Sequence, residues 1–108
     1  VAQGMAMGLK LSGRKSRVYC MVGDGEIQEG QIWESLQPVA NERLAEITVV
    51  VDHNKYQSDS TVASVSDLGP LEEKFRAFGW DVRRAPGHDF RAVADAFGLP
   101  CDTLAVTP

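Results

Sequence analysis

Apolar and polar positions follow two periods along this chain. Val18 to Val22 and Ile47 to Val51 are short, nearly continuous apolar runs. Each predicts a strand covered on both faces, as in a parallel sheet. Both runs stop abruptly on polar tips, Gly23-Asp24-Gly25 and Asp52-His53-Asn54. Between them, Ile32, Leu36, Val39 and Ala40 recur at helical spacing and predict a helix over Gln31 to Leu44. Pro38 falls inside it, which predicts a kink or a late start, because proline removes a helix hydrogen bond. Val1 to Leu11 is apolar on all sides and predicts a buried helix, with Gly4 and Gly8 on one face open to close approach. Ser12-Gly13 ends it. Leu71, Phe75 and Phe78 mark an amphipathic helix from Pro70 to Phe78, stopped by Gly79. Trp80 to Arg84 then reads as a short strand and Pro86-Gly87 as a turn. Asp89 is placed to cap a helix carrying Phe90, Val93, Ala94 and Phe97, and Leu104 to Val106 reads as a last strand. Helices and strands alternate, so the expected fold class is α/β, a parallel sheet with helices on both faces.

Composition narrows the function classes. The 108 residues are 44% hydrophobic and 24% charged, which fits a soluble globular chain of one domain or part of one. A net charge of −4 leaves no basic footprint for nucleic acid or an anionic membrane. No apolar run approaches the roughly 20 residues of a spanning helix. Cys20 and Cys101 have neither metal-binding nor redox spacing, and read as thiols in a reducing, cytoplasmic compartment. The chain opens inside a helix at Val1, without an initiator Met, and closes just after a strand. The expectation is therefore a single partial domain over residues 1–108.

The candidate chemistry sits at the strand tips. In an open parallel sheet, ligands bind beyond the carboxyl ends of the strands. Asp24 and Asn54 put oxygen donors there, 54 − 24 = 30 positions apart, enough for one helix and a return strand. Hard divalent cations prefer such oxygens. Glycines at 23 and 25 permit positive φ and a close approach of backbone to ligand. His53 is a base by type, but neighbouring strand residues point in alternate directions, so it is not expected to face the same atom as Asn54. Trp33 reads as core or interface packing, and His88 as a turn residue flanking the Asp89 cap.

The segments GDGEIQEGQIWES, VVVDHNKYQSD, LEEKFRAFGWDV and PGHDF, in this order and spacing, resemble the N-terminal cofactor-binding region of transketolases. Gly-Asp-Gly with a later Asn is similar to the thiamine-diphosphate signature more widely, and is shared with the thiamine-dependent component of 2-oxoacid dehydrogenases. QEG and FRAFGW favour transketolase. One departure is Asp59-Ser60, where many transketolases have Asp-Gly.

The resemblance implies a thiamine-diphosphate-binding fold. It implies a Mg²⁺ site (Ca²⁺ as an alternative ion) made by Asp24, Asn54 and the main-chain carbonyl of Tyr56. Gly23, Gly25 and Glu26 join these three in holding the cofactor, and Glu29 and Glu34 enter a polar network at a dimer interface. It further implies a transferase of pentose phosphate metabolism, moving a two-carbon ketol unit from a ketose to an aldose. A pyrimidine-binding domain would be supplied in trans, in a homodimer or an assembly of split subunits. No residue of this stretch is assigned as catalytic acid or base, and the stretch alone is expected to be inactive. A non-catalytic α/β binding module is the reading from a different class.

Overall fold

A computed structural model describes residues 1–54, 56–57, 60–61 and 67–98. The elements are α1 (Ala2–Leu11), β1 (Val18–Gly23), a 3₁₀ turn (Glu26–Gln28), α2 (Gly30–Asn41), β2 (Ile47–Asp52), β3 (Tyr56–Gln57), β4 (Ser60–Thr61), α3 (Leu71–Ala77) and α4 (Phe90–Phe97). β1 and β2 pair in parallel, in a register that runs from Val18 opposite Ile47 to Gly23 opposite Asp52. α2 is the crossover between them, the connection a parallel pair needs. β3 and β4 form a separate antiparallel pair, Tyr56 opposite Thr61.

Alternation along β1 decides which layer lies where. Val18 and Val22 are buried, while Tyr19 and Met21 on the opposite face are more than half exposed. Val22 joins Ile27, Leu36, Leu68, Leu71 and Phe75 in the main core, which draws on α2 and α3. Val18 joins Ala6, Val39 and Leu44 in a second cluster. On the other face the ring of Phe97, in α4, meets Tyr19 edge-on at 5.8 Å, so α4 lies against that side and covers it only in part. The parallel sheet with helices on both faces is thus the observed α/β architecture. Among the described residues, no helix is long and apolar enough to cross a membrane.

Three helices end in the same way, for a reason visible in the main chain. After α1, Gly13 has φ +67 and Arg14 N–H bonds back to the Leu9 carbonyl at 3.0 Å. After α3, Gly79 has φ +85 and Trp80 N–H reaches the Phe75 carbonyl at 3.2 Å. After α2, Arg43 N–H bonds Ala40 O and Leu44 N–H bonds Val39 O, both at 3.1 Å. These are Schellman ends, which use the otherwise orphaned last carbonyls. The third places an arginine, at φ +50, where glycine is preferred. Burial of Leu44 beside Val39 holds the chain in that turn despite the strain. Replacing Arg43 by Gly should therefore stabilise the protein by about 1 kcal/mol, since a left-handed L-residue costs about that much. Chemical denaturation checks it, and a loss of stability would show that the Arg43 side chain matters more than its backbone.

Several sequence expectations change. α1 is not a buried helix: Ala6 is buried, but Met5 is 57% and Leu11 83% exposed. It lies with one face on the second cluster, and the described residues supply no second layer. A Cβ built at Gly4 or Gly8 meets nothing within 4 Å, so the close approach expected there has no partner among the described residues. α2 begins at Gly30 and runs through Pro38, so a late start is not how the proline is accommodated. Trp80 to Arg84 forms no strand. A strand needs a ladder partner, and Trp80 is held instead by its indole N–H, which donates to Leu36 O at 3.1 Å. Phe90, expected on the apolar side of α4, is 59% exposed. Asp89 caps α4 as expected, accepting from Ala92 N–H at 3.0 Å. The Leu104 to Val106 strand, the Asp59 side of the Asp59-Ser60 pair and Cys101 lie outside the described residues.

Candidate functional site

The register of β1 and β2 sets Gly23 beside Asp52, so the two strands finish level with one another. One further bond, Asp24 N–H to Asp52 O at 3.2 Å, carries the pairing past the last ladder position. Asp24 is therefore anchored by its main chain to the tip of β2, two residues before Asn54. It is 1% exposed, a charged side chain set among the described core residues. A buried carboxylate is costly unless hydrogen bonds or a cation compensate it.

Asn54 is exposed at the other tip. Its amide nitrogen lies 3.4 Å from Asp52 Oδ2 and donates to it, which turns the amide oxygen away from that carboxylate. The Tyr56 main chain belongs to β3. Gly23 closes β1, and a Cβ built there would meet nothing within 4 Å, so a ligand has room beside the loop. Neither glycine needs a left-handed backbone. Gly25 has φ −64 and ψ −36, and Gly23 is part of the strand. This corrects the positive-φ reading: these glycines leave space rather than relieve strain.

The loop is tied down on both sides. Glu26 Oε2 accepts from Gly23 N–H at 3.3 Å, on the edge of β1 away from β2. Ile27, fully buried, plugs the loop into the main core. Glu29 N–H bonds Glu26 O at 3.0 Å, and Glu29 turns extended to start α2. Glu29 Oε2 accepts from Gln31 Nε2 at 2.7 Å. Glu34 lies a turn further along α2, and both glutamates are accessible at the surface. His53 is exposed at the β2 tip, and His88 sits in the turn before α4.

The structure thus brings Asp24, Glu26, Asp52 and Asn54 to one end of the sheet. Among the described residues, no group of three or more His, Cys, Asp or Glu side chains could hold a metal by itself. A cation here would draw on amide and main-chain oxygens as well as on Asp24, the all-oxygen, mixed donor set that suits Mg²⁺ or Ca²⁺. Asp52, which braces both tips, escaped the sequence reading. Its position before His53-Asn54 was visible, but its partners were not.

The model for the family described as transketolase, thiamine diphosphate binding domain, matches residues 8–99. The chain is 40% identical over 97 residues to the transketolase family protein y4mO of Sinorhizobium fredii, covering 90% of this chain and 35% of that one. It is 38% identical to the 6-deoxy-6-sulfo-D-fructose transketolase subunit SqwG of a Clostridium species, covering 88% and 34%. It is 37% identical to an apulose-4-phosphate transketolase subunit of Actinobacillus succinogenes, again covering 88% and 34%. The chain spans about a third of the length of these relatives.

Proposed function

Since the chain belongs to the transketolase family through its thiamine-diphosphate-binding domain, we propose that residues 1–108, as one partial domain, bind the diphosphate end of thiamine diphosphate through Mg²⁺. The observation that carries this reading is the level finish of β1 and β2, which sets buried Asp24 beside the tip that ends in Asn54. Asp24, Asn54 and the Tyr56 carbonyl would hold the cation, with Ca²⁺ able to replace Mg²⁺. Gly23, Gly25 and Glu26 would line the diphosphate. When bound, the cofactor supplies the carbanion chemistry by which transketolases move a two-carbon ketol unit from a ketose to an aldose. The residues here anchor and orient it, and none is assigned as acid or base.

The wider assembly follows from the same reading. Glu29 and Glu34, accessible at the start of α2, would enter a polar network across a dimer interface. The pyrimidine-binding half would come from elsewhere in the native chain or from a second polypeptide. Relatives named as subunits support the split organisation. Transketolase names among the relatives support ketol transfer over 2-oxoacid dehydrogenation. A cytoplasmic place in pentose phosphate metabolism accords with this reading.

Calorimetric titration of thiamine diphosphate into the complete protein, with and without Mg²⁺, tests it. Metal-dependent binding is expected in the native protein. It should weaken by about 10-fold or more in Asn54→Ala, as loss of one metal-supporting group typically does. Failure of the native protein to bind would leave the non-catalytic α/β module as the better description.

A further inference from the structure

The loop that carries Asp24 is also held by a side chain of α2. The Glu26–Gln28 turn is too short to hold itself: its own bonds are Gln28 N–H to Gly25 O at 3.2 Å and Glu29 N–H to Glu26 O at 3.0 Å. Its middle residue, Ile27, is fully buried. The Ile27 carbonyl accepts the indole N–H of Trp33 at 2.7 Å, in a part-buried setting. Trp33 lies six positions on, in α2, so this bond crosses from helix to loop and belongs to no regular element. The indole is itself fixed. Its ring centroid is 5.5 Å from Phe75 and 6.1 Å from Phe78, and Lys74 Nζ lies 5.7 Å over it.

We propose that Trp33 is a positioning residue for the diphosphate-binding loop, its indole N–H holding the Ile27 carbonyl and so setting where Asp24 stands. The inference rests on the reading of Asp24 as a cofactor ligand. Its physical basis is geometric. Ile27 is three residues from Asp24, and the main chain between them passes through Gly25, which offers no side chain to pack. A shift of the turn about Ile27 therefore pulls on Asp24 through only two intervening residues, against its main-chain bond to Asp52 O, and ligand constellations tolerate only about 0.5 Å of displacement. An indole anchored by two phenylalanines is a stiff donor, with little freedom to follow a moving carbonyl. The bond also satisfies a carbonyl in a place that water reaches poorly.

Two variants of the complete protein test the proposal. Trp33→Phe keeps an aromatic ring and removes the donor. Replacement of Trp33 by benzothienylalanine keeps the shape of the indole with sulfur in place of N–H, and so preserves the fold if the phenylalanine variant does not. Calorimetry with thiamine diphosphate and Mg²⁺ gives affinity, and amide hydrogen exchange gives local order without any turnover. Both variants should raise the dissociation constant at least about fivefold, the worth of one lost hydrogen bond. Exchange should quicken at Gln28 and Glu29 while the amides of α3 keep their protection. Native-like affinity in the benzothienylalanine protein would overturn the proposal, because volume rather than the donor would then be what matters. Unchanged exchange at Gln28 and Glu29 would overturn it as well. If the native protein fails to bind thiamine diphosphate, the cofactor reading falls, whereas exchange still decides whether Trp33 orders the turn.

Discussion

Asp24→Ala is expected to weaken Mg²⁺-dependent thiamine diphosphate binding in the complete protein by about 100-fold or more, since a direct ligand matters more than the outer-shell groups whose loss costs 10–100-fold. The same change should alter the melting temperature of the cofactor-free protein far less than it alters affinity. Asp24 is 1% exposed. Its main chain, which carries the bond to Asp52 O, is untouched by the change. The two readouts together separate a ligand from a structural residue. A structural acid would lose stability and affinity in step, while a ligand loses affinity alone. Undiminished binding in Asp24→Ala would sink the metal assignment.

The largest effect on stability is expected from Leu36→Ala. Leu36 is 2% exposed and sits between Val22, Ile27, Leu71 and Phe75 in the main core. Truncation there should cost about 2–5 kcal/mol, through lost transfer energy and the cavity left behind. Collapse of the surroundings is hindered, because the Leu36 carbonyl is held by the Trp80 indole. Urea denaturation of the complete protein measures the loss. A cost below about 1 kcal/mol would mean that α2 shifts to fill the void and that the core is less tightly built than its burial indicates.

What could be read from the residues alone divides by the range of the forces involved. β1 and β2 were legible because nearly continuous apolar runs ending at glycine and aspartate leave few alternatives. Gly13, Gly79 and the Asp89 cap were legible because their chemistry is local, acting within three or four residues. Arg43 was not, since nothing in the side chain announces a left-handed backbone; the pull of buried Leu44 against Val39 imposes it. The exposure of α1 was not legible either. A helix apolar all round says that cover is wanted, not where it comes from. Trp80 to Arg84 has strand-like residues but no ladder partner among the described residues, and pairing is a property of two segments. At the candidate site, the strand tips that bring Asp24 and Asn54 to one end of the sheet were legible from the two apolar runs. The bracing by Asp52, the 3₁₀ turn and the Trp33 bond were not, because each is a tertiary contact without a sequence period.

The parallel register has a consequence for how this region can tolerate insertions and deletions. Asp24 and Asn54 are brought level by one feature, Gly23 standing opposite Asp52. Residues gained or lost in the connection between α2 and β2 change only the route of the crossover, and the two tips stay in step. One codon added inside β2 does something else. It carries Asn54 out of line by a residue and turns Val49 and Val51 from the core to the opposite face, because strand side chains alternate. The length of β2 is thus a reading frame for the site, while the crossover before it is free to vary.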